Sequence, residues 1–223
     1  MSTDVEKRDN GLLVPVEQWM GRVALPFVPR AMTANHVTML SGSAGMLAGL
    51  ALYLASFHNA WFAVAALLVL IQWWADNTDG HVARSRNQSS AAGRFLDLFL
   101  DGCTFTALGI GLSFATYTQF PIVAIATMLC LLQYVLTVLW IAMARIWPFP
   151  AFGPAESSLT LIVMAIVMPF IPRHLLTIGG VPLSLVDLAF ALTIPSSLIT
   201  IVISARRLYL HLQNEAAREA AAR

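Results

Sequence analysis

The stretch Asp76–Asp101 reads DNTDGHVARSRNQSSAAGRFLDLFLD, and it decides how the rest of the chain is read. It carries Asp76, Asp79, Asp97 and Asp101 inside sequence that is otherwise apolar: FAVAALLVLIQWWA precedes it and GCTFTALGIGLSF follows. A charged residue at the centre of a bilayer-spanning helix costs roughly 2.5–3.5 kcal/mol, less toward the ends. Intramembrane carboxylates therefore point to a functional site with cationic partners.

The spacing predicts how the acids cooperate. Asp76 and Asp79 are i, i+3, and Asp97 and Asp101 are i, i+4, so each pair lies on one face of its own helix. Two facing helices would bring four carboxylates together. Like charges about 4 Å apart repel by roughly 4 kcal/mol at an effective dielectric of 20. Divalent cations would remove that repulsion, and all-oxygen ligation favours Mg²⁺, Mn²⁺ or Ca²⁺ over zinc. Residues 76, 79, 80 and 83 share a helical face, so Gly80 and Ala83 leave room beside the acids. Arg84 adds planar donors suited to phosphate oxygens. Carboxylates, metal and arginine beside a small-residue surface suit a nucleotide diphosphate.

Composition places this stretch in a membrane. Mean hydropathy is +0.72, with 58% hydrophobic and 11% charged residues, against about 25% charged in a soluble domain. We expect an all-α polytopic membrane protein: six transmembrane helices with an N-terminal interfacial amphipathic helix. The expected divisions are a cytoplasmic N-terminus and interfacial segment over 1–32, a catalytic six-helix domain over 33–208, and a cytoplasmic tail over 209–223. No apolar core marks the first residues as a cleavable signal. Residues 13–32 mix apolar positions with Glu17, Arg22, Arg30 and Trp19, which suits a segment lying on the membrane; a soluble linker is the alternative.

The spans are expected near 33–57, 60–84, 93–117, 121–145, 155–172 and 182–204. A polar hinge lies at 85–92, a proline-rich loop at 147–154, and a loop with Arg173, His174, Gly179 and Gly180 follows the fifth span. Pro195 would kink the sixth. Small residues in the first span permit close helix packing. Cys103 and Cys130 fall inside spans and read as core residues rather than a disulfide. Every Lys and Arg but Arg173 falls on one side of this layout. The positive-inside rule makes that side cytoplasmic, with both termini and the acidic stretch facing it.

The motif Asp76-x2-Asp79-Gly80-x2-Ala83-Arg84-x8-Gly93-x3-Asp97-x3-Asp101 resembles, at every fixed position, the signature of the CDP-alcohol phosphotransferase (CDP-alcohol phosphatidyltransferase) family, integral membrane enzymes of phospholipid synthesis. The resemblance implies a two-metal site of Mg²⁺ or Mn²⁺ ligated by Asp76, Asp79, Asp97 and Asp101. Asp101 would also deprotonate the acceptor alcohol. Gly80, Ala83 and Gly93 would make room for the CDP portion, and Arg84 would hold its phosphates. The implied reaction is transfer of a phosphatidyl group from CDP-diacylglycerol to a small polar alcohol, releasing CMP. Transfer of a head group from a CDP-alcohol to diacylglycerol, or another lipid alcohol, is the alternative within the family. Family members commonly begin the first span with Pro-Asn-x-x-Thr; here Ala34 replaces the proline while Asn35 and Thr38 remain, and either a cytidine contact or simple helix capping would explain them.

The run Asp79-Gly80-His81-x-Ala83-Arg84-x2-Asn87-Gln88 is similar to eukaryotic phosphatidylinositol synthases. Gly102 departs from them where they carry arginine. Only Arg145 is offered near spans four and five for a phosphorylated acceptor, so an uncharged or zwitterionic alcohol is expected. The family further implies a homodimer through spans three and four, each protomer with its own site. The expected partners are thus the CDP-linked donor, the alcohol, the bilayer and a second copy, with no nucleic-acid polymer; the membrane would be the inner one if the cell is bacterial. Glu156 stands between a helix-dipole role and a place in the acceptor pocket, and His81, Asn87 and Gln88 between the site and the solvent. A divalent-cation or proton-coupled transporter is the reading from another class. It leaves the register of Gly80, Ala83, Arg84 and Gly93 unexplained.

Overall fold

The computed structural model describes residues 6–8, 13–148 and 154–221. The opening polar residues, the middle of the expected 147–154 loop and the end of the tail lie outside that range. Helix α1, Val14–Ala24, has a proline in its first turn and runs into a short 3₁₀ turn, Leu25–Phe27. Helices α2 (Ala34–Leu54), α3 (Ala60–Ser85), α4 (Ala91–Ser113) and α5 (Phe120–Leu139) follow. A π-helical turn, Trp140–Ala144, extends α5 and ends at Arg145 with φ +54. Helix α6, Pro154–Val167, closes in a 3₁₀ turn, and α7 runs from Leu185 to Ala221 through Pro195.

Five of these helices are long and apolar enough to cross a membrane, all but α1 and α6. The fifth expected span falls on α6, whose 14 residues reach about 21 Å at 1.5 Å per residue, below a hydrocarbon core of about 30 Å. Helix α7 is long in the other direction: its 37 residues reach about 55 Å. The expected boundary between catalytic domain and tail therefore falls inside one continuous helix.

The chain is not purely helical. Strand β1, Glu6–Arg8, pairs in parallel with β2, Ile146–Pro148. Strands β3, Leu176–Ile178, and β4, Val181–Leu183, form an antiparallel hairpin. Its two-residue turn is Gly179–Gly180, both at positive φ, the backbone that a tight hairpin turn demands.

Helix α2 is the packing centre, lying against both α3 and α4. Its stripe Gly42, Gly45, Gly49 faces α4: a Cβ on Gly42 would meet the Leu100 side chain, one on Gly45 the Thr104 side chain, and one on Gly49 the Ala107 backbone. Gly111 of α4 approaches the Gly49 carbonyl in return. Such backbone proximity gathers many small dispersion contacts without needing water to drive it. In contrast, α5 and α7 turn residues such as Met128, Leu132, Leu192 and Val202 outward, as lipid-facing helices do. The chain is an integral membrane protein.

The end of the bundle away from the motif is tied by polar contacts. Tyr117 donates its hydroxyl to the Leu52 carbonyl at 2.8 Å, and Arg173 donates to the Ser56 carbonyl at 3.0 Å. Asp187 accepts from Gln119 N at 2.6 Å and from Ser184 N at 2.8 Å, so one buried carboxylate serves the starts of α5 and α7. Burial pushes the Tyr117 phenol above its ordinary pKa, against a smaller opposing effect of Arg173.

Candidate active site

The site forms where α3 ends and α4 begins. Asn87, at φ +55, reverses the chain between them. Ser90 caps α4 by accepting from Gly93 N at 3.0 Å, as a serine at a helix start should. This turn lays the second half of the motif beside the first.

Asp76, Asp97 and Asp101 come together. One carboxylate oxygen from each lies within 4.8 Å of the others, and all three residues are half-buried. Three hard oxygen donors at that spacing fit a divalent cation such as Mg²⁺ or Mn²⁺. Asp79 stands beside this trio rather than in it. It is buried, and its Oδ2 accepts from Thr38 Oγ1 of α2 at 2.6 Å. Its charge still acts on Asp97 and Asp101.

The small positions lie as follows. The Arg84 guanidinium covers Gly80, where a Cβ would stand 3.3 Å from Nη1. Arg84 is exposed, and its charge acts on Asp79. Ala83 packs on the small apolar cluster of Val28, Ala34, Val37, Ala75 and Val82. Gly93 faces α2: a Cβ there would stand 3.2 Å from Asn35 Oδ1. The start of α2 thus divides its work. Thr33 caps the helix in a reciprocal box with His36, Asn35 touches Gly93, and Thr38 holds Asp79.

Several residues around the site were not assigned this place by pattern. Arg86 donates to the Val28 carbonyl at 2.8 Å, to the Pro29 carbonyl at 3.2 Å and to the Met32 carbonyl. Gln88 accepts from Ala34 N at 2.8 Å. Together they strap the α1–α2 connection to the α3–α4 hinge. Tyr134 of α5 lies over Gly102, where a Cβ would stand 3.3 Å from its ring, and its hydroxyl donates to the Leu98 carbonyl. Gln88 and Gly102 carried a signal only through the family pattern, Arg86 only as a basic residue near the acids, and Tyr134 none.

Helix α1 leans on α3 beside the acids. Gly21 abuts the His81 ring and the Asn77 carbonyl, and the Glu17 charge acts on Asp76. Glu156, buried at the start of α6, accepts from Leu13 N at 3.0 Å. That contact fastens the N-terminal end of α1 to the start of α6.

Comparison with known proteins places this arrangement. The profile of the CDP-alcohol phosphatidyltransferase family matches residues 31–195. The fold is similar to solved structures of Mycobacterium tuberculosis phosphatidylinositol phosphate synthase. The form with CDP-DAG bound is 22% identical with a TM-score of 0.59, covering 86% of this chain and 92% of that one. The apo form is 22% identical with a TM-score of 0.57, covering 87% and 95%. The complex with manganese and citrate is 21% identical with a TM-score of 0.60, covering 86% and 88%. No curated protein matches the sequence.

Proposed function

The chain belongs to the CDP-alcohol phosphatidyltransferase family and is a CDP-alcohol phosphotransferase, and on that premise we propose that it transfers a phosphatidyl group from CDP-diacylglycerol to a small polar alcohol, with release of CMP. The observation that carries this reading is the trio Asp76, Asp97 and Asp101 within 4.8 Å, where the end of α3 meets the start of α4. That the similar mycobacterial synthase binds CDP-DAG on the same fold supports it.

Asp76, Asp97 and Asp101, with Asp79 beside them, would hold two Mg²⁺ or Mn²⁺ ions. When bound, such ions neutralise the diphosphate charge and stabilise the attacking and leaving oxygens. Arg84 binds the phosphates, and Gly80, Ala83 and Gly93 keep the surface open for the CDP portion. Asp101 takes the proton of the acceptor hydroxyl as its oxygen bonds to the phosphorus distal to cytidine. The bond from that phosphorus to CMP breaks in the same displacement. The protein's contribution is mostly position and charge.

The acceptor reading is an uncharged or zwitterionic alcohol. The layout reading is six crossings, α6 included, with α1 at the interface and both termini and the site cytoplasmic. Two copies would pair through α4 and α5. The test is CMP release in detergent or vesicles with Mg²⁺ or Mn²⁺, across a panel of alcohols with CDP-diacylglycerol as donor. A second arm supplies CDP-alcohols with diacylglycerol. Turnover only in the second arm would reverse the direction of transfer proposed here.

A further inference from the structure

Thr38 lies outside the acidic signature yet touches it. Helix α2 buries it one turn after Ala34. Its Oγ1 is 2.6 Å from Asp79 Oδ2 and 3.1 Å from the Ala34 carbonyl. A hydroxyl has one proton to give. Oxygen donors to a carboxylate sit at about 2.5–2.7 Å, whereas ordinary O–H···O bonds end near about 3.0 Å. The proton therefore serves Asp79.

A second contact shows the same helix at work. Asn35, one turn before Thr38, touches the Gly93 position. Helix α2 thus grips one residue from each half of the signature. Asp79 follows Asp76 by one helical turn on α3, beside the trio. The Thr38 bond to Oδ2 fixes how the Asp79 carboxylate is turned toward the trio.

We propose that Thr38 is a positioning residue: its hydroxyl holds Asp79 Oδ2 and so fixes the orientation in which the Asp79 carboxylate would join Asp76, Asp97 and Asp101 in holding metal. This rests on the metal reading above. Removing the hydroxyl frees the Asp79 side chain to rotate, and metal affinity falls although no expected ligand is lost.

The experiment measures Mn²⁺ binding directly, by the electron paramagnetic resonance signal of free Mn²⁺ over purified full-length protein in detergent, without substrate. Thr38→Val keeps the shape and loses the donor; affinity is expected to fall by about 10-fold or more. Thr38→Ser keeps the donor and is expected to bind like the wild type. In an Asp79→Asn background, Thr38→Val should add nothing, because the two residues act as one unit. Wild-type affinity in Thr38→Val overturns the proposal. So does equal loss in Thr38→Ser, which would make the role one of packing, or an undiminished effect in the Asp79→Asn background. If Thr38→Val does not fold, Thr38→Cys replaces it as a poor donor and must weaken binding where Thr38→Ser does not. A wild-type protein that binds no Mn²⁺ overturns the metal reading itself, and this proposal with it.

Discussion

At the scale of single residues, charge and its compensation dominate. Asp97 sits with Asp76 and Asp101 in a trio of carboxylates whose oxygens lie within 4.8 Å of one another. Asp97→Asn should abolish CMP release while leaving a folded, monodisperse protein. In EDTA its thermal midpoint should be no lower than the wild type's, because a source of repulsion is gone. A wild-type turnover rate in this variant would defeat the metal assignment. Arg86 is the opposite case, a cation spent on backbone. It satisfies the Val28, Pro29 and Met32 carbonyls. Arg86→Ala should destabilise by about 1–3 kcal/mol through those freed acceptors, read as a lower unfolding midpoint and faster proteolysis near residues 28–33. An unchanged cleavage pattern would show that the strap is not needed.

At the scale of elements, α2 and α4 meet backbone to backbone. Gly49 has no room for a side chain, since a Cβ would strike the Ala107 backbone. Gly49→Leu should force the helices apart and cost at least the 1–3 kcal/mol or so of an overpacked core. Leu47, on the same helix but 52% exposed, provides the control: Leu47→Ile should leave the unfolding midpoint in detergent where it was. Equal midpoints for both variants would mean that α2 and α4 do not meet as described. The same contact explains why the site is sensitive to α2. A shift of that helix moves Thr38 against Asp79 and Asn35 against Gly93 together.

At the scale of the whole molecule, the prediction concerns the number of crossings. Single cysteines in a background lacking Cys103 and Cys130 settle it in sealed vesicles with an impermeant thiol reagent. Ser89, in the α3–α4 hinge, and Thr116, between α4 and α5, are both exposed and should label from opposite sides. His174 follows α6. Labelling with Thr116 means that α6 crosses; labelling with Ser89 means that it does not, and the six-span layout falls. Assembly is tested by mixing. If each protomer keeps its own site, activity in mixtures of wild-type and Asp101→Asn protein should follow the wild-type fraction. Recovery of activity between Asp76→Asn and Asp101→Asn protomers would instead show a site shared across the interface.

The acids, the small residues and the membrane class were legible in the chain because each depends on short-range order. An i, i+3 or i, i+4 pair shares a face in any helix, and long apolar runs mark spans without knowledge of their neighbours. The hairpin at Gly179–Gly180 carried the local turn signal of a two-residue loop, although its strands are too short to stand out. What tertiary structure alone decided is how the four aspartates divide. Spacing treats them alike, but Asp76, Asp97 and Asp101 gather while Asp79 is held beside them by Thr38, 41 residues away. The Arg86 strap joins residues 54–58 positions apart, and Glu156 reaches Leu13 across 143. A hydrogen bond between distant residues leaves no period or composition in the sequence. It exists only once packing has brought donor and acceptor together.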